Sequence, residues 1–144
     1  MYRFMSLIPL ALIACNGDDG GDGPFAVTVS VPDSYFDTGV HPGIDYEIAI
    51  VDGDGAVLDS ATGTLPTATG AAHEVDLSVD GGDSYEVHFW VDSDIGGGTA
   101  GTCDGGTDFF DHQWVYALGT VDADRDFALP AHNTDFTDVC ATFD

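Results

Sequence analysis

From Pro24 onward the hydrophobic residues recur at every second position in short runs, and this restricts the fold more than any other feature. The runs are FAVTVSV (25–31), DYEIAIVD (45–52), AVLDSATGTL (56–65), AHEVDLSV (72–79), SYEVHFWVD (84–92), HQWVYALGTV (112–121), RDFALPA (125–131) and DFTDVCATF (135–143). Clusters of Gly, Asp and Pro divide them, and no window of a dozen residues carries a helical period. Period two places alternate side chains on opposite faces of a strand, so each run reads as a half-buried strand. Seven or eight strands at this spacing predict an all-β, antiparallel two-sheet sandwich of the immunoglobulin/transthyretin-like kind, with a small barrel as the alternative. Asp52-Gly53-Asp54-Gly55 and Asp80-Gly81-Gly82-Asp83 read as hairpin turns.

Alternation also sorts the faces. In the fifth run Tyr85, Val87, Phe89 and Val91 share one side and form the expected core face, while Glu86, His88, Trp90 and Asp92 share the other. In the sixth, Trp114, Tyr116 and Leu118 oppose Val115 and Ala117. Both faces are apolar there, which predicts a central strand.

The N-terminus follows a different logic. MYRFMSLIPLALIAC has a short basic start at Arg3, an apolar stretch from Met5 to Ile13, and Ala14 before Cys15. The stretch is too short to span a bilayer as a stable helix. Leu12-Ile13-Ala14-Cys15 resembles the lipobox of bacterial lipoproteins, which implies a signal peptide over 1–14 and lipidation of Cys15. Residues 15–24 then form a Gly/Asp-rich tether with nothing to bury and a reach of roughly 15–18 Å, ahead of a domain over 25–144. The expected place is the bacterial envelope, with the outer membrane or cell surface favoured over the inner membrane. Contact with the membrane is expected through the lipid anchor only.

With Cys15 taken as the lipid acceptor, Cys103 and Cys140 remain as an even pair in an oxidising setting, and a disulfide between them is expected. A two-cysteine metal site lacks the close spacing of zinc ribbons.

Charge then limits the partners. The chain has 26 carboxylates against two arginines and no lysine, a net charge of −24. Phosphate recognition rests on Lys and Arg, so nucleic acid is excluded as a partner, and anionic lipid headgroups are excluded likewise. Self-repulsion of this size is relieved by salt or by bound divalent cations.

One connection concentrates the acids. VDSDIGGGTAGTCDGGTDFFDHQW, Val91 to Trp114, holds five aspartates and a histidine between two predicted strands. Asp92-Ser93-Asp94 before a glycine run has the start of a calcium loop, in which carboxylates turn inward and glycine lets the backbone curl. It is not an EF-hand, because the third acidic position is Gly96 and no glutamate closes the loop. Asp104, Asp108 and Asp111 can fold back onto the first pair, and calcium is the expected cofactor. Asp111-His112, with His41 in VHPG and with His88 as a further candidate, offers the alternative of a nitrogen-rich zinc or copper site. His73 and His132 read as surface or hydrogen-bonded histidines.

The combination of HPG before an early strand, YEVHFWVDSD running into a glycine-rich loop, and DHQW opening the next strand resembles a group of small exported bacterial β-domains, mostly uncharacterised. The resemblance implies that His41, Asp92, Asp94, Asp104, Asp111 and His112 meet at one end of the sandwich around a cation. This chain departs from that pattern in its Gly-Gly-Gly after Asp94 and in Cys103.

No G-x-S-x-G elbow, H-E-x-x-H, P-loop, lysine or spare cysteine is present. The expectation is therefore a binding or structural module with a protein or glycan partner, not an enzyme.

Overall fold

The computed structural model describes residues 23–37, 39–94, 97–105 and 111–144. The expected signal peptide and lipobox, Cys15, most of the expected tether and Asp108 lie outside the described residues. Among the described residues no helix is long and apolar enough to cross a membrane.

The described residues form seven strands: β1 (Phe25–Val31), β2 (Asp45–Val51), β3 (Val57–Thr64), β4 (His73–Val79), β5 (Gly82–Val91), β6 (His112–Val121) and β7 (Arg125–Ala128). They make two sheets, ordered β4-β1-β7 and β3-β2-β5-β6. All pairs are antiparallel except β1 with β7, which is parallel. The all-β sandwich expected from alternation is what forms.

The core lies between the sheets and follows the alternation. Val27, Val29 and Val31 of β1 face Ile48 and Ile50 of β2 and Val87, Phe89 and Val91 of β5, all buried. Burial of a Val, Leu, Ile or Phe side chain contributes roughly 1.5–3 kcal/mol, so these rows supply much of the folding drive. β6 keeps Trp114 and Leu118 inward, then buries Val121 after an odd step. A register shift opposite Tyr85 inserts one residue there, with Gly119 at φ +78°. Glycine adopts that conformation without strain.

Three expectations are corrected. Asp80–Asp83 is no hairpin: β4 and β5 belong to different sheets, and the turn is a corner between them. The Tyr85 hydroxyl donates to the Asp80 carbonyl across this corner at 2.9 Å. A Cβ at Gly82 would sit 2.2 Å from that hydroxyl, so any side chain there would displace the Tyr85 ring end.

β6 lies at a sheet edge instead of the centre. The C-terminal segment covers the start of its outer face, with Gln113 fully buried beneath Val139 and accepting its N–H at 2.8 Å.

The eighth run is not a strand; Cys140–Phe143 forms one helical turn, α1. Side chains take the N–H groups a ladder would otherwise satisfy: Gln113 Oε1 accepts from Val139 and Asp138 Oδ1 from Cys140. The expected disulfide joins Cys103 to Cys140, with Cα atoms 5.2 Å apart. It therefore ties the acidic connection to α1.

Candidate metal centre

Two groups of metal-ligating side chains meet at the end of the sandwich where β5 stops and β6 begins. One is nitrogen only, His41, His112 and His132; the other is oxygen only, Asp92, Asp94 and Asp111. In each, the potential ligand atoms lie within 4.8 Å of one another.

The nitrogen group is built from three separate segments. His41 follows the 3₁₀ turn Asp33–Tyr35 and is 2% exposed. Its Nδ1 lies 3.0 Å from the Tyr35 carbonyl oxygen. A carbonyl can only accept, so Nδ1 carries the proton and Nε2 is left with a free lone pair. That lone pair meets His112 Nδ1 at 2.6 Å. His112 opens β6 on the core side, two residues before Trp114, and stacks on Phe136 with ring centroids 4.3 Å apart. His132 comes from the segment after β7, where its backbone N–H donates to Ser34 Oγ at 3.0 Å. Its Nε2 is buried and has no partner among the described residues.

All three imidazoles are held neutral. Burial first, then the neighbouring His112 and His132, bring His41 down to about 4, against the opposing pull of the Tyr35 carbonyl. His112 is lowered by burial and by His132, and His132 by burial. A neutral imidazole with a bare nitrogen is the form that ligates a metal. A backbone carbonyl fixing the tautomer from behind is a usual second partner of a metal-binding histidine.

The oxygen group turns on Asp111, whose side chain is fully buried. Its Oδ1 accepts from the Asp94 N–H at 3.1 Å and its Oδ2 from the Asp104 N–H at 2.9 Å, so one carboxylate gathers both arms of the connection. Asp94 stands at φ +48°, a conformation that Asp tolerates better than most residues. Asp92 Oδ2 accepts from Gly101 N–H at 2.6 Å, while its Oδ1 is buried without a partner among the described residues. Burial is the main cause that raises the Asp111 carboxyl; the Asp104 and Asp94 N–H groups oppose it and the Asp92 charge adds to it. Asp94 is also raised, by desolvation and by the charges of Asp92 and Asp104.

The residues named from the sequence therefore gather at one end but divide by chemistry. Asp92, Asp94 and Asp111 come together, and His41 and His112 join a different group. Asp104 braces the loop, its carboxylate accepting from the Thr99 N–H. His88 is elsewhere, on the outer face of β5, bonded to Thr142 Oγ1 at 2.6 Å and to Glu86 at 3.3 Å. His73 meets the Tyr46 hydroxyl at 2.8 Å, in keeping with a hydrogen-bonded reading. His132, read as a surface or hydrogen-bonded histidine, is the third member of the nitrogen group. Nothing local in AHNTD marks it, because its role comes from the chain folding back beneath Ser34.

Buried histidine and aspartate groups that can hold a metal ion are thus present. No protein-family model, curated protein or solved structure matches the chain.

Proposed function

We propose that the chain is a lipid-anchored metal-binding module of the bacterial envelope, and that its principal ligand is zinc or copper held by His41, His112 and His132. The observation that carries this reading is the convergence of three neutral imidazoles, one with its tautomer set by the Tyr35 carbonyl and one with a buried, unpartnered Nε2. Imidazole suits zinc and copper, whereas calcium takes oxygen ligands. In a tetrahedral zinc site neighbouring nitrogens stand about 3.3 Å apart, given Zn–N bonds of about 2.0–2.1 Å. His41 and His112, whose nitrogens stand 2.6 Å apart, would open slightly to reach that spacing. Three protein ligands leave a fourth position for water or an exchangeable ligand, an arrangement suited to capture and release.

A second reading adds calcium at Asp92, Asp94 and Asp111, favoured by the unpartnered Asp92 Oδ1 beside a fully buried carboxylate. A hard cation there would offset the burial that chiefly raises Asp94 and Asp111, and the charge of the neighbouring Asp92 that adds to it. On this reading calcium braces the connection and the histidines bind the functional metal.

The test is calorimetric titration of chelator-stripped protein with zinc, copper(II) and calcium in turn. One equivalent of zinc or copper is expected, lost in His112→Ala and His132→Ala and retained in Asp94→Asn. Zinc or copper binding that survives both histidine substitutions would sink the three-histidine reading.

A further inference from the structure

Trp90 Nε1 and Asp92 Oδ1 are buried and lack a hydrogen-bond partner among the described residues, and both residues line the same groove. The groove, of about 330 Å³, lies against β2, β3 and β5, with Gly101 of the acidic connection at one side. It is on the outer face of the four-stranded sheet. Glu47 pairs across to Trp90 on one side and to Thr62 on the other, and these residues alternate with the inward Ile48 and Phe89. Trp90 is 6% exposed and is backed by the Phe143 ring at 6.3 Å. The Gly101 N–H to Asp92 Oδ2 bond holds the loop against the groove. Asp45 is already engaged by Thr64 Oγ1 at 2.7 Å, which leaves Glu47 and the Oδ1 of Asp92 to meet a ligand.

The two orphan atoms restrict the ligand's chemistry. An indole N–H needs an acceptor and a carboxylate oxygen needs a donor. An ammonium or guanidinium satisfies the carboxylate and leaves the indole unpaired, whereas an anion satisfies the indole and is repelled by Asp45, Glu47 and Asp92. A hydroxyl both donates and accepts, and adjacent hydroxyls on one ring can serve both atoms. The indole's apolar body also suits the C–H face of such a ring. The groove's volume falls at the lower end of ordinary small-molecule sites.

We infer that this groove is a binding site for a neutral polyhydroxylated ligand, a saccharide unit, with Trp90 donating to it and Asp92 and Glu47 accepting from it. The site uses none of the three histidines, so it stands or falls apart from the zinc or copper reading.

The test follows the Trp90 indole N–H resonance in ¹⁵N-labelled protein, assigned by its loss in Trp90→Phe. The probes are the methyl glycosides of glucose, galactose, mannose and N-acetylglucosamine and their β-linked disaccharides, with arginine, spermidine and inorganic phosphate as the charged alternatives. A saturable shift is expected with at least one saccharide and with none of the charged probes. Trp90→Phe and Asp92→Asn should each weaken that saccharide's affinity by about tenfold or more, while the remaining resonances report an intact fold. Asp92 also belongs to the carboxylate group, so Trp90→Phe, which removes no carboxylate, separates the groove from calcium binding. Absence of a shift with every saccharide at millimolar concentration overturns the inference. So does a shift with arginine or spermidine alone, or saccharide affinity unchanged in Trp90→Phe.

Discussion

His41 Nε2 stands 2.6 Å from His112 Nδ1, and the other nitrogen of His41 is fixed by the Tyr35 carbonyl. The His41 ring cannot gain a second proton without facing two further imidazoles in a buried site. Its folded pKa is lowered to about 4 from an ordinary 6.5, mainly by burial. The unfolded chain then takes up protons first as pH falls. Stability from this group is fully present above pH 6.5 and is lost progressively toward pH 4. Metal-free protein should therefore show a falling Tm across this window. The fall should be shallower in His41→Gln, which removes the titrating ring. Parallel slopes in thermal melts of the two proteins would contradict this.

The carboxylate group works in the opposite sense. Asp111 and Asp94 are raised, so protonation or a cation stabilises the folded form, and their charge is unfavourable at neutral pH. Calcium in large excess over its dissociation constant should raise Tm by several degrees at fixed ionic strength. Asp94→Asn should abolish most of that rise while leaving the calcium-free protein as stable or slightly more so. A calcium response unchanged in Asp94→Asn would remove this aspartate from the site.

Reduction of the Cys103–Cys140 disulfide frees a loop whose ends are 37 residues apart in sequence. In the chain-entropy model this bond contributes about 3–4 kcal/mol. Cys103→Ser/Cys140→Ser should lose about that much in denaturant unfolding. It should also weaken calcium binding, since Cys103 adjoins Asp104, whose N–H donates to Asp111. Unchanged calcium affinity in the double variant would show that the acidic connection holds its shape without the bond.

The strands were legible because alternation is local: seven of the eight runs are strands, and Tyr85, Val87, Phe89 and Val91 face the core as their spacing requires. The disulfide was legible from cysteine number and expected compartment. Apart from the Asp80–Asp83 corner, much of what escaped notice depends on one long-range event, the return of residues 129–143 across the sandwich. That segment carries His132 to the other histidines, covers Gln113 at the start of the outer face of β6 and ends in α1. Its DFTDVCATF pattern resembles a strand because Phe136 stacks on His112 and Val139 is buried. These contacts bury side chains three residues apart, a spacing that needs no ladder pairing. The division of the ligands by chemistry was hidden for a similar reason. Asp111 and His112 are neighbours in sequence, yet one carboxylate enters the loop and the other side chain enters the core face.

Gln113 joins that returning segment to the acidic connection. Fully buried, it donates from Nε2 to the Asp104 carbonyl at 3.0 Å and accepts at Oε1 from the Val139 N–H at 2.8 Å. Its own carbonyl accepts from Thr137 N–H at 3.0 Å. Gln113→Leu keeps much of the volume but leaves one buried donor and one acceptor without partners, at about 1–3 kcal/mol each. A loss of roughly 2–4 kcal/mol is expected, allowing for partial relaxation. The Thr137 bond is made by the backbone and survives the substitution, so amide exchange should quicken at Val139 more than at Thr137. Because Asp104 also donates to Asp111, calcium affinity should fall as well. A variant that loses stability but exchanges no faster at Val139 would show that Gln113 fills space without clamping the segment.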